Sequence, residues 1–116
     1  TPLYSSAASD VYKRQVELNL SIYPRMTMER AMYEMRRGRL HEAVNLLREG
    51  LKWNWRPTPF HRNLGMCYLR MGEYERASEE FVLVLRADPE DKMVREALAA
   101  IRKMRRSPNF QSDSMP

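Results

Sequence analysis

A single cysteine, Cys67, and two histidines, His41 and His61, are all that this 116-residue chain offers for thiolate or imidazole chemistry. One cysteine excludes an intrachain disulfide and any metal site built from cysteines. His41-Glu42-Ala43-Val44-Asn45 opens like a zinc-protease helix, but Asn45 stands where the second histidine is required, and one imidazole does not make that site. There are only four glycines, and none forms a phosphate-cradling loop. No Ser/His/Asp arrangement or paired acid site stands out. No stretch approaches the roughly 18 apolar residues of a membrane-spanning helix. These absences argue against an enzyme, and no cofactor or metal is expected.

Charge of one sign is also scarce where it would matter. From Val16 to Asp91 the chain carries 12 basic and 12 acidic residues, so this body is neutral. Lys92 to Arg106 holds six basic residues against Glu96 alone. A neutral body with one basic terminal helix is not the electrostatic footprint of a nucleic-acid surface spread along the chain. Nucleic acid is therefore not the expected partner.

Residues Ser5 to Gln15 read SSAASDVYKRQ. This string resembles the translation of an adapter used in transposase-based sequencing libraries, and Thr1 to Tyr4 fit the region just upstream. Residues 1–15 are accordingly expected to be non-native and are set aside before the fold is read. The native N-terminus is then expected to be missing, and the lack of a leader says nothing about compartment.

What the chain does have is an internal repeat. Shifted by 34 residues, Ala31 falls on Gly65, Met32 on Met66, Gly38 on Gly72, Leu40 on Tyr74, Ala43 on Ala77, Leu47 on Phe81 and Leu51 on Leu85. Each unit parses as two helices. In the second, Pro57 and Pro59 suit a helix's first turn, and an almost continuously apolar run through Leu64, Met66, Cys67, Tyr68 and Leu69 follows. Gly72 suits the left-handed residue that closes a helix. Tyr74, Ala77, Phe81, Val84 and Leu85 then form a one-sided stripe at spacings of three and four, ended by Asp88-Pro89. The first unit repeats this logic, except that Trp53-Asn54-Trp55-Arg56-Pro57 replaces the Asp-Pro ending.

Leu64-Gly65, Tyr68, Gly72, Tyr74, Ala77, Phe81 and Pro89 resemble the tetratricopeptide repeat family in order and spacing. His61 departs from it, standing where the family has Trp or another large residue, and Arg30 and Glu34 replace Leu and Tyr in the first unit. The resemblance implies an all-α helical-repeat solenoid of two 34-residue helix-turn-helix units, 24–57 and 58–91. A capping helix at 92–106 and a tail without periodicity at 107–116 complete the expected map. Residues 16–23 have two readings. Val16, Leu18, Leu20 and Ile22 alternate as a strand would, and VELNLSIYP also resembles the end of a preceding repeat.

In this family function sits on the concave face lined by the first helix of each unit. The resemblance places Met28, Met32, Met35 and Arg36 there from the first unit. Arg62, Asn63, Met66, Leu69 and Arg70 come from the second, and His41, Glu75 and Glu79 lie on the opposite side. A methionine-rich surface edged with arginine suits a helix or peptide bearing acidic residues, because thioethers adapt to irregular shapes. The methionines equally fit a packing role between helices. The expected partner is thus a protein or peptide, with self-association as a further option. The chain reads as a protein-interaction module, or alternatively as a scaffold or regulatory appendage of a larger enzyme or regulator whose upstream part is missing. Some members of the family grip a C-terminal carboxylate with a Lys, Asn and Arg set. Here only Asn63 matches, while Met28, Met32, Met93 and Ala97 occupy other positions of that set. His41 is expected in solvent, and His61 and Cys67 in packing roles.

Overall fold

The computed structural model describes the backbone of residues 2–105 and the side chains of Val11, Lys13, Arg14 and residues 22–105. Most side chains of residues 1–15, and with them the expected contacts there, lie outside the residues so described, as does the expected tail at 107–116. Five helices follow one another: α1 (Pro2–Arg36), α2 (Leu40–Leu51), α3 (Pro57–Arg70), α4 (Tyr74–Ala87) and α5 (Lys92–Arg105). The described chain is an all-α helical repeat, and it divides into two compact units between Pro57 and Thr58.

The first helix does not start with the expected first unit at Pro24. It runs through residues 16–23 and holds Pro24 in its interior. The alternating apolar pattern of residues 16–23 therefore forms no strand. Pro2 and Pro24 are the only prolines before Pro57, and no glycine precedes Gly38, so no turn signal besides Pro24 itself interrupts the helix.

The turns inside the two units are built alike. In the first, Gly38 has φ +79°, its N–H donates to the Met35 carbonyl at 3.0 Å, and the Arg39 N–H donates to the Glu34 carbonyl at 2.9 Å. In the second, Gly72 has φ +80°, with Gly72 N–H to Leu69 O at 3.1 Å and Glu73 N–H to Tyr68 O at 2.8 Å. Both are Schellman closures, in which a glycine takes the left-handed conformation that other residues adopt at a cost. A Cβ at either glycine would meet nothing within 4 Å, so the backbone angle sets the requirement there, not space. The second helices then begin without a capping side chain at either Arg39 or Glu73.

Unit 1 packs α2 antiparallel on α1. Ala43, Val44 and Leu47 of α2 are buried, as is Ala31 of α1, at the spacing that turns one helical stripe inward. In unit 2, Gly65 of α3 lies close against Phe81 of α4. A Cβ on Gly65 would lie 2.4–2.8 Å from three atoms of that ring. Phe81 is fully buried, as are Ala77 and Val84 beside it on α4. Burying a phenylalanine contributes roughly 1.5–3 kcal/mol, and it is gained here because Gly65 has no side chain. Val94, Leu98 and Ile101 bury the inner stripe of α5, leaving Arg95, Glu96, Arg102 and Lys103 exposed.

Candidate functional site

The α1 residues Met28, Met32, Met35 and Arg36 recur at three- and four-residue spacing and so share one helix face. Met28 and Met35 are half-buried, while Met32 and Arg36 are exposed. An open groove of about 800 Å³ runs along this part of α1. Met32 and Arg36 line it, together with Met26, Arg30, Tyr33 and two carboxylates, Glu29 and Glu34. Met26 is 56% exposed and Tyr33 48%, so large side chains stand uncovered along this stretch. The sequence signal for these two was present, since Met26, Arg30, Tyr33 and Arg37 form a stripe of their own. The repeat register drew attention to the neighbouring face instead. Arg37 completes this stripe by donating to the Tyr33 hydroxyl at 2.7 Å.

On α3 the corresponding residues are less accessible. Met66 and Leu69 are half-buried, and Arg70 is exposed. Asn63 donates its Nδ2 to the Pro59 carbonyl at 3.0 Å. Arg62 is held by Asp91: its Nε and one terminal nitrogen both donate to Asp91 Oδ2, at 2.8 and 2.5 Å. Its charge thus has a structural partner inside unit 2.

The remaining polar candidates resolve into structural roles. His41 is exposed. His61 is half-buried, and its Nδ1 lies 2.6 Å from Glu80 Oε1 on α4, so a polar pair stands where the family has Trp or another large residue. Cys67 is fully buried. Burial pushes its thiol up from 9.0 to about 11, with Arg70 pulling in the opposite direction. It is therefore a neutral packing residue at neutral pH, not an activated nucleophile. Among the described residues no three His, Cys, Asp or Glu side chains are grouped to hold a metal ion, and no helix is long and apolar enough to cross a membrane.

A comparison with protein families matches residues 34–101 to the tetratricopeptide repeat model. The chain belongs to the tetratricopeptide repeat family. The matched segment opens near the end of α1 and runs into α5, so it contains the whole Arg62–Arg70 stretch as well as Met35 and Arg36, but not Met28 or Met32. Among curated proteins the comparison finds no match. Tetratricopeptide repeats are protein-interaction modules, and the family typically serves as scaffold rather than catalyst. The Schellman glycines, the Gly65–Phe81 contact and the alanines buried at positions 31, 43 and 77 are the parts of this chain that build such a repeat.

Proposed function

We propose that this tetratricopeptide protein holds a peptide or helix of a protein partner against its first helices, on the face that forms the family's concave groove. Met28, Met32, Met35 and Arg36 on α1 and Arg62, Asn63, Met66, Leu69 and Arg70 on α3 are the proposed contact residues. The observation that carries the reading is the open groove on α1, where exposed Met32 and Arg36 lie beside Met26 and Tyr33. Methionine supplies adaptable apolar contact, and the exposed arginines Arg36 and Arg70 favour acidic residues in the ligand. Arg62 contributes its aliphatic stem, since its guanidinium serves Asp91.

The test is selection of a binder from a random peptide library, followed by charge reversal. Arg36→Glu and Arg70→Glu should weaken the selected peptide about tenfold or more, because they replace attraction by repulsion beside an acidic ligand. Glu79→Lys is the appropriate control and should change little. Glu75 and Glu42 are poor controls, because Arg105 pairs with the first at 2.6 Å and Arg39 with the second at 3.9 Å. Loss of binding in the control with retention in the arginine variants would refute this face. Sedimentation of the free chain separates the peptide partner from self-association.

A further inference from the structure

Trp53-Asn54-Trp55-Arg56, between α2 and α3, does more than end a repeat. Asn54 and Arg56 have φ of 49° and 45°, left-handed conformations that residues other than glycine rarely adopt. Strain of this kind clusters at ligand clamps and switch regions. The loop is fixed against α1 by rings. Tyr23 and Trp53 stack with centroids 5.3 Å apart and planes 12° apart, and both remain exposed. Next to them, Arg25 and Arg56 each hold a guanidinium over the Trp55 ring, 5.2 and 5.0 Å from its centroid. The two charges are therefore within about 10 Å of each other. Among the described residues neither has a carboxylate partner. By contrast, Lys52 beside them is paired with Glu49 at 3.1 Å.

A guanidinium lying on an aromatic face keeps its N–H donors at its edge, oriented and partly desolvated, ready for a planar anion. Two such forks on one tryptophan, without a carboxylate partner among the described residues, are a preorganised receptor for carboxylates. We propose that Arg25 and Arg56, stacked on Trp55, clamp the side-chain carboxylates of an acidic segment of a protein partner. The exposed Tyr23–Trp53 stack supplies adjoining apolar contact, and Trp, Tyr and Arg are the residue types that dominate binding energy at protein interfaces. A nucleic acid fits less well, because residues 16–91 carry equal numbers of acidic and basic groups, whereas a phosphate backbone needs a run of cations. Arg25 falls one turn before Met28 and two turns before Met32 on the same face of α1, so the clamp adjoins the methionine stripe, while its anion contacts need none of those methionines.

The chain reports on this site by itself, since Trp53 and Trp55 are its only tryptophans. In Trp53→Phe, which keeps an aromatic ring for Tyr23, all indole emission comes from Trp55. Titrating the full chain with a capped hexaglutamate peptide should give a saturable change in that emission. Capped hexaglutamine should give none, and raised salt should weaken the binding. Affinity should fall about tenfold in Arg25→Gln and in Arg56→Gln, and partly in the lysine variants, which keep charge but lose the fork. Circular dichroism checks the fold of each variant, and if a glutamine variant unfolds, the lysine variants and the hexaglutamine comparison decide. Absence of a saturable change would overturn the proposal, as would undiminished affinity in a folded Arg25→Gln/Arg56→Gln chain. If Arg36→Glu removes hexaglutamate binding and the two glutamine changes do not, the clamp fails while the methionine face stands. Binding of a thymidine dodecamer that needs both arginines, with no response to hexaglutamate, would reassign the site to phosphate.

Discussion

Both donors of the Arg62 fork converge on a single oxygen of Asp91, while the other oxygen of that carboxylate accepts the Val94 N–H at 3.2 Å. One side chain thereby caps α5 and ties it to α3, 29 positions earlier in the chain. Asp91 is 8% exposed at its side chain, so these donors, more than water, satisfy its oxygens. Asp91→Ala should lower stability by about 2 kcal/mol, combining a lost N-cap with a lost charge-assisted hydrogen bond. Asp91→Asn keeps an acceptor for the cap and should lie between. Urea midpoints at constant slope measure both, and equal midpoints for Ala and wild type would show that the capping pair contributes nothing.

Gly65→Ala should destabilise although alanine is the better helix former by about 1 kcal/mol. The added methyl meets the Phe81 ring inside contact distance, and overpacking of this kind costs about 1–3 kcal/mol. The double variant Gly65→Ala/Phe81→Leu should recover part of the loss, because the smaller side chain vacates that space. Thermal melts of the four proteins complete the cycle, and a stabilising Gly65→Ala would contradict the close approach.

The His61–Glu80 pair joins helices across 19 positions and is about one-fifth exposed at both ends. A double-mutant cycle with His61→Ala and Glu80→Ala should return a coupling of roughly 0.5–1.5 kcal/mol. Additive losses would mean that the two side chains are neighbours without mutual stabilisation.

Cys67 should resist alkylation by iodoacetamide in the native chain and react quickly once urea unfolds it. The folded thiol titrates near 11 against 9.0 for an ordinary one. The native state therefore favours the proton: its contribution to stability is complete below pH 9 and is lost as the pH rises through about 11. Cys67→Ala should flatten that alkaline decline. A native alkylation rate equal to the unfolded one at pH 8 would contradict the burial.

The repeat itself was legible because its requirements are local. A left-handed turn asks for Gly38 and Gly72, and close helix contact asks for Gly65, Ala43 and Ala77, so each leaves a residue type at a fixed spacing. The start of α1 was not legible. Four alternating apolar residues between Val16 and Ile22 fit a strand as well as a helix, and Pro24 reads as a beginning although it lies inside. Pairings between distant helices were equally hidden. Arg62 looked like a groove cation by register, and only the fold brings Asp91 to it. The Trp53–Arg56 stretch was visible as a departure from the repeat, but nothing in the spacing pointed from it to Tyr23 and Arg25, which only the fold brings against it.

The second helices start at Arg39 and Glu73, neither of which caps the helix it introduces. Neither side chain makes the N-terminal capping hydrogen bond, in both units alike, at turns that are otherwise tightly closed. These two positions are a reserve for adaptation. A single codon change to Ser, Asp or Asn at either could add about 1 kcal/mol, and do so away from the methionine face and the tryptophan loop. A lineage of this protein could therefore accumulate destabilising changes in its binding surfaces, as new partners demand, and offset them at two turns that no ligand needs to touch.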